Sequence, residues 1–154
     1  SSVKRRKKGM ELDPINKKIM EMLIKDSRRP YREIADELGV TESTVRKRVK
    51  KLVEDKVIER FTVALNPEKS GKSIIAYVVA YPQNQREREV EELVKELPEV
   101  VEAYAMSGKC GVNMKVVVKD LPSLNAFLEK LQSEPAITAL ESCIALKELK
   151  RSLI

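Results

Sequence analysis

The chain has 154 residues, with 30 Lys+Arg against 24 Asp+Glu, two Cys, and neither His nor Trp. That length suits one ordinary domain or two small ones, and 42% apolar residues mark a globular chain. Without histidine it cannot build a Ser-His-Asp triad, a Cys-His nucleophile pair, an HExxH site or a Cys₂His₂ finger. No cofactor, metal or catalytic residue is therefore expected. Cys110 and Cys143 are too few for a disulfide framework and read as buried thiols of a protein in a reducing compartment. No apolar run approaches the ~18–20 residues that span a bilayer. The basic start, residues 1–10, is not followed by the apolar stretch of a signal peptide, so a cytoplasmic protein with no membrane partner is expected.

Charge is unevenly spread. Residues 1–60 carry a net +7 and residues 61–154 a net −1. An excess confined to one end suggests that this part meets nucleic acid or another anionic surface. The run Lys4-Arg5-Arg6-Lys7-Lys8 fits either a solubilising tail or an arm adding phosphate or minor-groove contacts, and Arg46-Lys47-Arg48 and Lys50-Lys51 form a second cluster that a tail does not explain.

After the basic arm (1–10), residues 11–56 read as three helices. Asp13-Pro14 caps the first, whose apolar stripe is Ile15, Ile19, Met22 and Leu23; Ser27-Arg28-Arg29-Pro30 breaks it. The second runs from Tyr31 through Ile34, Ala35 and Leu38, and Gly39 supplies the left-handed residue that turns the chain. Val40 plugs the turn and Thr41 caps a third helix over 42–54, with Glu42 at its positive end. Val45, Val49, Leu52 and Val53 form its inward stripe, while Ser43, Lys47 and Lys50 face the other way, flanked by Thr44, Lys51 and Arg46. A small Ala35, a corner at Gly39 and a locking Val45 are the parts of a DNA-reading helix-turn-helix, of winged-helix-like type. Ser43, Thr44, Arg46 and Lys47 are placed for base edges. Lys50, Lys51 and Arg48 suit phosphates, or, for Arg48, packing by its stem.

Residues 57–72 read as a hinge strand (Val57 to Leu65) and linker. Residues 73–154 then repeat strand-helix-strand. The strands are Ile74–Tyr81, Val100–Met106, Val112–Val118 and Ile137–Leu146. One helix carries Val90, Leu93, Val94 and Leu97, and the other, from Pro122, carries Leu124, Phe127, Leu128 and Leu131. The halves align at a spacing of 37 residues, Leu97-Pro98-Glu99-Val100 opposite Glu134-Pro135-Ala136-Ile137. The fold class is α+β, with a ferredoxin-like βαββαβ domain behind the helix-turn-helix. Two helices cover one face of a four-stranded sheet, yet Ile74–Tyr81 is apolar at every position. A half-exposed strand should alternate, so the second face is expected to bury against another copy in an obligate homodimer.

This order of parts resembles the Lrp/AsnC (feast/famine) family of prokaryotic transcription regulators over Leu12–Leu149. The resemblance rests on Leu12-Asp13, Ile34-Ala35-x₂-Leu38-Gly39-Val40, Ser43-Thr44-Val45-Arg46-Lys47-Arg48-Val49-x₂-Leu52, Val57-Ile58 and Ser107-Gly108. It implies a sequence-specific regulator of double-stranded, pseudo-palindromic DNA, with its third helix in the major groove. It further implies dimers joined through the C-terminal (RAM-type) domain, often grouped as octamers. Effectors, commonly amino acids, would bind near Ser107, Gly108, Lys109, Cys110 and Gly111. There the family usually has Thr-Gly-Asp-Tyr-Asp, and both acids are replaced, by Lys109 and Gly111. An α-ammonium group needs carboxylate or carbonyl acceptors, so an amino-acid effector, another ligand and no effector all stay open. Two other functions also remain: weakly specific architectural DNA binding, and an enzyme like the haem-precursor decarboxylases that some Lrp-like proteins resemble.

Overall fold

The structure is a computed structural model that describes residues 13–152; the basic arm, residues 1–10, lies outside them. The chain divides into two units, one reaching Val63 and the other running Ala64–Ser152.

In the first unit Asp13 opens α1 (Pro14–Lys25), its carboxylate accepting the Ile15 N–H at 2.8 Å. Helix α2 (Tyr31–Leu38) ends on Gly39 at φ 67°, where the Val40 N–H reaches back to the Ala35 carbonyl. Helix α3 (Glu42–Glu54) is capped by the Thr41 hydroxyl, which accepts from the Thr44 N–H at 3.1 Å. Ile19, Leu23, Ile34, Ala35, Val45 and Val49 close one core, with Tyr31, Leu38 and Val40 packed against it. Val53 departs from the expected stripe and is 38% exposed. It directly follows buried Leu52, and one helical step turns it about 100° out of the core.

In the second unit the order is β1 (Ile74–Pro82), α4 (Glu87–Lys95), β2 (Val100–Ala105), β3 (Val112–Val118), α5 (Leu121–Gln132) and β4 (Ile137–Ile144). The strands lie β2-β3-β1-β4, every pair antiparallel, which is the ferredoxin-like arrangement. Ala76, Val78 and Ala80 of β1 and Val112, Met114 and Val116 of β3 point to the helix side. There they pack on Val90 and Val94 of α4 and Leu124, Phe127 and Leu131 of α5. Strands β2 and β4 open at Val100 and Ile137, 37 residues apart, as the repeat in the sequence requires.

Two expectations need correction, the hinge strand and the burial of the cysteines. The hinge strand at 57–65 does not form. Phe61, Val63 and Leu65 alternate as a strand's apolar face would, but they are 51%, 76% and 61% exposed and have no ladder partner among the described residues. A period-two pattern makes a strand only where a second backbone satisfies its N–H and C=O groups. Strand β1 alternates in burial despite its apolar run, because only the helix side is covered within one chain; Tyr77, facing the other way, is 55% exposed. Both cysteines are exposed. Cys143 pairs with Tyr77 and shares its open face, and Cys110 sits in the β2–β3 turn.

Candidate nucleic-acid interface

Helix α3 is held on its inner side by Val45 and Val49, fully or almost fully buried, and by Leu52. The remaining positions of the helix are thereby forced outward. Ser43, Arg46, Lys47, Lys50 and Lys51 are exposed, Thr44 is half-buried and its hydroxyl lies 2.8 Å from that of Thr41. Lys50 lies 4.0 Å from Glu54 and Lys51 lies 3.2 Å from Asp55. These are solvent-facing pairs of the kind that hold little energy and exchange readily for another anion. Lys47 has no carboxylate within ion-pair distance among the described residues.

Arg48 is turned to the protein. Its guanidinium donates to the Asn16 side chain at 3.1 Å and lies 3.3 Å from the Asp13 carboxylate, so it ties α3 to the start of α1. The Ile15 N–H first, and Arg48 after it, hold the Asp13 carboxyl below the usual carboxylate range. Arg46 donates to Glu42, one turn earlier, at 2.8 Å, and its guanidinium stands over the Tyr31 ring at 5.4 Å from the centroid. Periodicity cannot find the Tyr31 contact, since it joins two helices. The Glu42–Arg46 pair has the i,i+4 spacing that a helix brings together.

The loop Ser107–Gly111 joins β2 to β3 and is closed by the Met106 N–H on the Gly111 carbonyl at 3.0 Å. Gly108 and Gly111 have φ of 63° and 70°. A Cβ on Gly111 would come within 2.7 Å of the Ala80 carbonyl, whereas one on Gly108 would meet nothing. A cavity of 290 Å³ opens beside the loop, lined by Gly108, Lys109 and Gly111 together with Tyr81, Glu87 and Glu91. Ser107 and Cys110 do not line it. The Tyr81 hydroxyl donates to Glu141 at 3.1 Å, and burial, followed by that carboxylate, pushes the phenol above its ordinary value. Glu87 and Glu91 lie on α4, far along the chain from the loop, and no loop motif could have revealed them.

Comparison with known proteins gives this geometry a context. Residues 12–53 match the AsnC-type helix-turn-helix domain and residues 75–153 match the Lrp/AsnC ligand binding domain. The HTH-type transcriptional regulator FL11 of Pyrococcus furiosus is 36% identical over 141 residues, covering 92% of this chain and 93% of that one. The chain belongs to the Lrp/AsnC family. An AsnC family transcriptional regulator from Agrobacterium tumefaciens has the same fold at TM-score 0.83 and 28% identity, over 93% and 95% of the two chains. A transcriptional regulator of Neisseria meningitidis, solved as its L-Met complex, superposes at TM-score 0.85 and 22% identity, over 92% and 94%. As a member of the Lrp/AsnC family the protein is a DNA-binding transcriptional regulator and not an enzyme. Among the described residues no helix is long and apolar enough to cross a membrane.

Proposed function

We propose that the protein reads a pseudo-palindromic operator as a dimer, with α3 of each copy in successive major grooves. The observation that carries this is the outer face of α3. A helix anchored by Val45 and Val49 and set at a left-handed glycine corner presents Ser43, Arg46, Lys47, Lys50 and Lys51 to solvent. The N-terminal half of such a helix points at base edges, so Ser43, Thr44, Arg46 and Lys47 read sequence while Lys50 and Lys51 dock on phosphates. Arg48 acts by holding α3 at its angle to α1.

The dimer forms through the sheet face that the helices leave open, where Ile75, Tyr77 and Val79 stand on β1. Apolar side chains on that scale, partly exposed in one chain, favour burial against a matching copy; further dimers build an octamer. The effector site is the cavity at Gly108, Lys109 and Gly111. Glu87 and Glu91 offer it the carboxylates that the loop itself lacks, which supports a ligand carrying an ammonium group such as an amino acid.

Footprinting on an operator selected from random DNA tests the reading. Arg46→Ala and Lys47→Ala each abolish protection while the oligomer keeps its sedimentation coefficient. Protection like that of the unsubstituted protein in both variants removes α3 as the reading element.

A further inference from the structure

The Arg46 guanidinium is the one cation of the outer α3 face that an aromatic ring and a carboxylate hold together. Glu42 accepts from it at 2.8 Å, and the Tyr31 ring lies beneath it at 5.4 Å. Tyr31 is the first residue of α2 and packs against the helical core, so its ring is fixed by the fold and not by the arginine. We propose that Tyr31 and Glu42 are specificity-determining positioning residues that reserve Arg46 for a guanine edge; the proposal rests on α3 being the reading helix.

A long arginine on a bare helix face must be ordered when it docks, and a ring already under its guanidinium removes much of that cost. Glu42 meanwhile neutralises Arg46 toward a lone phosphate, whose attraction is mainly that of charge at a distance. A phosphate also accepts the planar fork in bidentate fashion, but as an anion that Glu42 repels, whereas guanine O6 and N7 are neutral acceptors. The ring therefore favours the specific complex, and the acid disfavours the unspecific one. Lys47, Lys50 and Lys51 have no such arrangement, which leaves general attraction to them.

Five proteins decide it: unsubstituted, Tyr31→Phe, Tyr31→Leu, Glu42→Gln and Lys47→Ala, each measured on the selected operator and on random DNA over a series of salt concentrations. Phe keeps the ring, while Leu keeps apolar filling and removes it. Tyr31→Phe should retain the ratio of operator to random affinity. Tyr31→Leu should lower it about tenfold for two heads, with guanine becoming degenerate at one position of each half-site. Glu42→Gln, at an exposed site that cannot unfold the domain, should raise random-DNA affinity and steepen its salt dependence by about one to two units. An unchanged ratio in Tyr31→Leu, or unchanged random-DNA binding in Glu42→Gln, overturns the proposal. Lys47→Ala separates the two levels: if it abolishes the footprint while those two variants behave as unsubstituted protein, this inference alone fails. If Lys47→Ala is also silent, α3 is not the reader and both fall.

Discussion

Lys50→Ala offers a quantitative check on how the protein docks. Each α3 turns Lys50 and Lys51 to the phosphates, so a dimer neutralises about four of them. At about 0.9 of a counterion released per phosphate, the log–log dependence of affinity on salt should have a slope of about −3.6. Between 50 and 200 mM salt, affinity should then fall by about two decades. Lys50 is 78% exposed and loosely paired with Glu54, so its removal leaves the core intact and costs one phosphate contact per head. The slope should move to about −1.8, and the loss over the same salt range to about one decade. Fluorescence anisotropy with labelled operator at several salt concentrations measures this directly. Sequence preference should be unchanged, because phosphate contacts carry no base information. A slope unaltered by the substitution, or a changed preference for particular bases, would refute the assignment of Lys50 to phosphate.

Other outcomes follow from the packing and the caps. Gly111→Ala combines about 1 kcal/mol for a left-handed φ with about 2 kcal/mol of overpacking against the Ala80 carbonyl, whereas Gly108→Ala carries only the first; denaturant titration should rank them in that order. The Asp13 carboxyl is held low in the folded state, so its stabilisation is complete above its unfolded value and is lost as pH falls below about 4. Asp13→Asn, which caps equally well, should flatten the acid limb of Tm against pH. Val79→Asp should yield monomers in sedimentation, and a retained dimer mass would show that the open sheet face is not the interface.

The helical half of the molecule was almost wholly legible in the sequence, for a physical reason. Its signals are local: Asp13, Thr41 and Gly39 act on backbone groups two to four residues from themselves. The stripe Val45-Val49-Leu52 needs only the period of the helix to be read. Val53 escaped because it adjoins the edge of that stripe, where apolar character no longer determines direction. Charge partners were less legible. Glu42–Arg46 has the i,i+4 spacing of a helix, but Arg48–Asn16 joins residues 32 apart, and only the packing of α3 on α1 brings them together. The cavity's Glu87 and Glu91 were hidden in the same way. Their helix reaches the Ser107–Gly111 turn through the sheet topology, not through any sequence motif.

The two features where one chain disagrees with its own sequence point in a common direction. The segment 57–65 has a strand's alternation and no ladder; β1 has a doubly buried strand's composition and one covered face. Both patterns are costly in an isolated chain. Phe61, Val63 and Leu65 leave apolar surface in water, as does Tyr77 on the sheet. Burying even half of a large side chain is worth about 1 kcal/mol, so several such residues repeated in two copies would outweigh a substantial part of the entropy of association. A second copy, as proposed above, would satisfy these demands at no cost in new sequence, since one face can cover its own symmetry mate. The proposed pairing would put two α3 helices in one particle, which would turn two weak contacts with phosphate and base into a single recognition event. On this argument the apolar excess of β1 belongs to DNA reading as much as the lysines of α3 do.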